Sequence, residues 1–267
     1  MILSGRPISR DATQNNHPTK RKAKLNSSST YDLISRNNKA FFARHWSPLC
    51  LLLAPTMYFA YRYIADHVSI LTGAILYYAY SVPVVYFPAL ILLGLAFFIQ
   101  KKAFFQELLL IGRFTRKDLV IGLSAVTILY VAVFTAAHYL GNPREPSMVS
   151  LYQFKTDYQV AVLLISILIL PPIVEELLYR HFILTAFPVF KGRLTAILAI
   201  LLTAVLFAWV HKYEYTLTYV SLFLVGTIFG VARVHSKGML LPILLHSYAI
   251  GFVLLGDQVV KLVDVSY

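Results

Sequence analysis

Glu175 and Glu176 stand side by side at the end of a stretch that carries no charge from Tyr158 to Val174. An ionised carboxylate inside hydrocarbon costs at least about 2.5 kcal/mol even on lenient insertion scales, so charges at such positions face a protein interior or a water-filled cavity and mark function. Two imidazoles could act with them. His211 closes the fifth apolar block four residues after Phe207, a spacing that stacks the ring over the turn carrying the imidazole. His246 lies near the middle of the last apolar block, among apolar and small hydroxyl neighbours. Carboxylate and imidazole together are the groups of acid–base hydrolysis, in which one takes a proton from water and the other relays or donates one.

These side chains need helices to bring them together. Residues four apart share a helical face, so Glu176 pairs with Arg180 while Glu175 points about 100° away. One carboxylate is neutralised and the other stays available. Glu175 lies 18 residues before Arg193 in the basic turn Lys191-Gly192-Arg193, and His211 lies 18 residues after it. Antiparallel helices of equal rise place both at one depth, provided residues from about 173 to 190 are helical, with Pro171-Pro172 as a helix start. Gly226 and Gly230 let a neighbouring helix approach closely, and we read them as packing. Taken singly, the glutamates read as an interfacial ion pair with Arg180, His211 as a solvated helix end and His246 as a core histidine. His181 and His235, which flank charged turns, read as surface residues.

The composition sets the medium. Hydrophobic residues make up 58% of the chain and charged residues 13%, with a mean hydropathy of +0.67, outside the balance of a soluble domain. The net charge of +12 is concentrated in one tail, since nine of the 24 Lys/Arg but only two of the 12 Asp/Glu fall in residues 1–46. That leaves no case for a nucleic-acid partner. The lone Cys50 rules out an intrachain disulfide and a cysteine-based metal cluster.

Residues 1–46 read as a disordered basic cytoplasmic tail, with no cleaved signal peptide, because about forty polar residues precede the first apolar block. Beyond it the apolar blocks fall at about 47–65, 72–99, 119–140, 158–178, 194–211, 216–233 and 239–256. The fold expected is an all-α polytopic membrane helical bundle with about seven spans, six to eight being compatible. The second block holds Pro83 and Pro88 and is either one kinked helix or a span with an interfacial piece. The domains read as N-terminal spans over 47–157, a core over 158–256 that holds the candidate catalytic groups, and a short tail over 257–267. The basic connection holding Lys101, Lys102, Arg113, Arg116 and Lys117 is placed in the cytoplasm with the N-terminus, and loop 141–157 on the opposite side. The basic turns at 191–193 and 233–237 also belong to the cytoplasmic side, which puts the helix end bearing His211 on the far side.

Glu-Glu-x-x-x-Arg at 175–180, Phe-x-x-x-His at 207–211, the Gly226/Gly230 helix and the stretch from Ser236 to His246 together resemble the CPBP family of intramembrane proteases. That family includes the CAAX prenyl endopeptidases and the bacterial Abi-type proteins. The resemblance covers roughly 158–256 and implies an intramembrane endopeptidase that cuts a membrane-associated protein or peptide at the lipid bilayer of a cell membrane. It implies that Glu175 activates water, that His211 assists and that His246 stabilises the oxyanion, with Glu176, Arg180 and Phe207 in support. No cofactor is needed in this version; the other version has zinc held by Glu175, His211 and His246. One position departs from the family pattern: Ile250 stands where Asn or Asp is usual, four residues after the last histidine. Ser247 and Tyr248 are the nearby substitutes. The alternatives are a non-catalytic relative with an immunity or scaffold role, and a proton-coupled transporter.

Overall fold

A computed structural model describes residues 41–43, 46–103, 108–189 and 191–263 of the chain. Nearly all of the basic tail therefore lies outside the described residues. Those described are helical or in short connections, with no strand among them. The helices are α1 (Leu49–Thr72), α2 (Ala74–Ala79), α3 (Ser81–Ala103), α4 (Arg116–Leu140), α5 (Pro146–Tyr152), α6 (Asp157–Glu175), α7 (Arg193–Val210), α8 (Thr216–Ser236) and α9 (Leu240–Val263). Between α6 and α7 the helix continues without a break as a wide π turn over Glu176–Ile183 and a last α turn over Leu184–Ala186.

Six of these helices are long and apolar enough to cross a membrane: α3, α4, the continuous helix Asp157–Ala186, α7, α8 and α9. The chain is a multi-pass membrane protein. Helix α1 is long enough too, at 24 residues, but carries Arg62 and Asp66, which neutralise each other one turn apart at 2.6 Å. Counting it gives the seven spans the sequence predicts. Gly73, where φ is 79°, ends α1, and the long second block divides at Tyr80 into the short α2 and the spanning α3. It is thus a span with an added piece.

Two helix starts are built the same way. Thr115 and Asp118 form a reciprocal capping box at the head of α4, and Thr156 and Gln159 form another at the head of α6. Each satisfies backbone N–H groups that a helix leaves open at its N-terminus. The start of α6 corrects one expectation. Pro171 and Pro172 sit inside that helix and do not begin one, and the continuous helix runs for 30 residues. Both prolines are buried, and the helix continues through them.

Side chains that face lipid are large and apolar, among them Ile75, Tyr139, Leu198 and Trp209. The core lies around α6 and the π turn, where Val174, Leu178, Ala89, Leu93 and Val126 are fully or nearly fully buried. Helix α8 packs closely on α7 through its two glycines. A Cβ on Gly230 would stand 2.9 Å from Ile200 Cγ2, and one on Gly226 would stand 3.2 Å from Phe207 Cδ1. His181 corrects a second expectation. It is 1% exposed, because the π turn carries it inward against α3, where its Nε2 meets Gln100 Oε1 at 2.8 Å and its ring stands edge-on to Phe97. His235 does lie at the surface, 3.1 Å from Asp118.

Candidate active site

Glu175 is the last residue of α6 and Glu176 the first of the π turn, so the two carboxylates leave the backbone at the point where the helix widens. Wide turns of this kind cluster at functional sites because they re-aim consecutive side chains. Glu176 is fully buried. Its Oε1 lies 3.1 Å from Arg180 Nη1 and 2.9 Å from His246 Nδ1. Arg180, also fully buried, donates from Nη2 to the carbonyl of Gly226 at 3.1 Å and lies 4.5 Å over the Phe207 ring. Its charge is thus held by a carboxylate, a carbonyl and an aromatic face.

Glu175 faces the other way, as the helical spacing requires. Its Oε2 is buried, has no hydrogen-bond partner, and stands 3.7 Å from His211 Nε2 and 3.7 Å from His246 Nε2. The equal depth expected for Glu175 and His211 is what the helices produce. His211 ends α7, and its Nδ1 meets the Phe207 carbonyl at 2.6 Å. A carbonyl only accepts, so Nδ1 carries a proton and Nε2 is the nitrogen turned toward Glu175. His246 is fixed likewise, since its Nδ1 donates to the Glu176 carboxylate. Phe207 braces the group, standing edge-on to His211 at 4.6 Å and to His246 at 5.8 Å, while Phe229 stacks on His246 at 4.9 Å.

The trio opens on a cavity of about 350 Å³ whose wall is largely apolar. At its far end Arg144 binds Asp257 through two parallel hydrogen bonds, Nε to Oδ1 at 2.9 Å and Nη2 to Oδ2 at 2.7 Å. The neighbouring Glu145 accepts from the backbone of Glu214 and Tyr215 and from the Thr218 hydroxyl. One short turn is therefore tied to α9 on one side and to the head of α8 on the other. Tyr213 stands parallel to the His211 ring at the cavity wall, and burial, with help from Glu175 and Glu145, pushes its phenol up to about 12. Tyr213 therefore keeps its proton at neutral pH and can donate.

Every residue that the sequence singled out for the site is in this cluster: Glu175, Glu176, Arg180, Phe207, His211 and His246. Sequence reasoning missed Tyr86, whose hydroxyl donates to Glu175 Oε1 at 2.6 Å from helix α3, and it missed the structural part of Gly226 beside Arg180. No local pattern marks Tyr86 in a chain with 18 tyrosines. Ile250 lines the cavity one turn beyond His246, so an apolar side chain occupies that wall. Tyr248 does not replace it, because its hydroxyl bonds Thr127 on another face at 2.7 Å. As for zinc, among the described residues no three His, Cys, Asp or Glu side chains are gathered closely enough to hold a metal ion. No step below runs through a metal.

A carboxylate and two imidazoles inside a membrane-spanning helical bundle define a polytopic membrane protein with a buried acid–base site. Residues 157–250 match the family model described as type II CAAX prenyl endopeptidase Rce1-like. The chain is also 42% identical over 128 residues to an uncharacterised 24.3 kDa protein of Escherichia coli. That match covers 47% of this chain and spans 58% of the relative's length. No solved structure matches.

Proposed function

We propose that the chain is an intramembrane endopeptidase that hydrolyses a peptide bond of a membrane-associated protein or peptide. The observation that carries this reading is the buried, unpartnered Oε2 of Glu175, set 3.7 Å from two imidazole nitrogens at the wall of a cavity. Glu175 Oε2 and His211 Nε2 are both acceptors. A water between them donates one proton to each and turns an oxygen lone pair toward the cavity. Glu175 then takes the proton as that oxygen attacks the scissile carbonyl, and returns it to the leaving nitrogen when the C–N bond breaks.

His246 stabilises the oxyanion by donating from Nε2. Because its Nδ1 already donates to Glu176, this role requires a proton on each ring nitrogen. The ring stands between two carboxylates, with Nδ1 2.9 Å from Glu176 and Nε2 3.7 Å from Glu175. Arg180 anchors Glu176, and Phe207 holds both imidazoles. The match to the Rce1-like family model supports the reaction class, and the cavity's apolar wall supports a substrate with apolar side chains. The basic clusters at 101–117, 191–193 and 233–237 support a reading in which those ends and the N-terminus lie on the cytoplasmic side of a cell membrane. The end of the cavity lined by Tyr213 then faces the opposite side.

The test is cleavage of a membrane-proximal peptide library by purified protein in detergent, comparing wild type with Glu175→Gln, with and without a chelator. Cleavage that disappears in the variant and survives chelation is expected. Loss on chelation restores the zinc version. No cleavage by folded wild type favours a non-catalytic relative, a reading for which the apolar Ile250 in the cavity wall speaks.

A further inference from the structure

A glutamate carboxylate turns freely about its last bond, where the torsional preference is broad and roughly two-fold. Something must fix the plane if one oxygen is to face two imidazoles. Within the matched segment 157–250, neither the histidines nor Arg180 does so, since the histidines approach only Oε2, each at 3.7 Å, and Arg180 pairs with Glu176. The fixing contact comes from outside that segment. The Tyr86 hydroxyl on α3 donates to Oε1 at 2.6 Å, a short hydrogen bond to a charged acceptor, and the same side chain forms part of the cavity wall. Tyr61 on α1 packs beside it, with ring centroids 6.4 Å apart.

We propose that Tyr86 is a positioning residue for Glu175, so that the N-terminal spans complete a site whose reacting groups all lie in the C-terminal helices. This rests on the proteolytic reading above. With Oε1 held by the phenol, Oε2 is left as the single basic oxygen and faces the point midway between the two imidazoles. Without the phenol the carboxylate swings, and the bridging water loses one of its two acceptors for much of the time. Substrate binding in the cavity does not involve this hydrogen bond, so the effect falls on turnover.

The experiment is steady-state cleavage by Tyr86→Phe, which keeps the ring and removes only the hydroxyl, beside wild type, Glu175→Gln and Glu175→Asp. A charge-assisted hydrogen bond of ordinary strength implies a fall in kcat of about 10- to 100-fold with KM unchanged. In Glu175→Asp the carboxylate is drawn back by one methylene from the phenol, so adding Tyr86→Phe there lowers kcat less than about two-fold. Melting temperature, read on the same samples, is expected to stay near wild type. An unchanged kcat in Tyr86→Phe overturns the proposal, as does a loss that multiplies in full onto Glu175→Asp or that tracks only the folded fraction. If Glu175→Gln cleaves as fast as wild type, the proteolytic reading falls and takes this one with it. If Glu175→Gln is dead and Tyr86→Phe is normal, the positioning role alone falls.

Discussion

Arg180→Met should unmask the cost of leaving one carboxylate alone inside the bundle. Arg180 and Glu176 are both fully buried, with Nη1 and Oε1 3.1 Å apart. Methionine fills much of the arginine volume between Phe207 and Phe229, so the packing loss is small. What remains is Glu176 without its guanidinium, held only by the His246 Nδ1 hydrogen bond, and removing one partner of a buried pair costs about 3–5 kcal/mol. For a protein of this size each kcal/mol lowers the melting temperature by about 2–4 °C, which puts the expected drop between about 6 and 20 °C. Adding Glu176→Gln removes the charge while keeping an acceptor for His246, and should return the double variant to within about 2 kcal/mol of wild type. The assay is thermal unfolding in detergent of the wild type, both single variants and the double variant, read as a double-mutant cycle. A double variant that melts as low as Arg180→Met alone would refute the reasoning, because it would mean that the loss came from packing and not from charge.

Two further outcomes follow from the geometry. In Gly226→Ala the new methyl stands 3.2 Å from Phe207 and 3.3 Å from the Arg180 guanidinium, whereas in Gly230→Ala it meets only Ile200, at 2.9 Å. Overpacking by about 1–3 kcal/mol lowers the melting temperature in both, but turnover per folded molecule should fall only in Gly226→Ala, which activity normalised to folded protein checks. Tyr213, pushed up from 10.0 to about 12, holds its proton in the folded state after the unfolded chain has lost it. Folding stability should therefore decline as pH rises from 10 to about 12, and Tyr213→Phe should flatten that decline in a series of melting curves.

The sequence shows the reacting groups more clearly than the frame around them. Glu176–Arg180 and Phe207–His211 are one-turn spacings, so their contacts are local and legible. Even the meeting of Glu175 with His211 follows from equal distances to one turn. Tyr86 was out of reach because its partner lies 89 residues away and nothing short of the packing of α3 on α6 brings them together. His181 was misread for a related reason: a histidine next to an arginine near a basic turn looks exposed until the π turn rotates it toward Gln100. The proline pair misled because isolated Pro-Pro favours a helix start, while here both prolines are buried and the helix continues through them. The end of α9 ran on as well, seven residues past the last apolar block to Val263, since Asp257 finds Arg144 and is neutralised.

The π turn also works as a stored insertion. Over Glu176–Ile183 the backbone hydrogen bonds reach one residue further than in an α-helix, so the segment holds one residue more than a regular helix of the same shape would need. Deleting a single residue there would heal the helix and leave the α-helix on either side in its present phase, while the side chains within the turn, Glu176 and Arg180 among them, would be re-aimed. The aim of the carboxylate and its anchor would change although no chemical group of theirs had been touched. For comparison with shorter relatives this means that residue counting across the turn is unsafe, and that the carboxylates, not the helix ends, are the points to superpose.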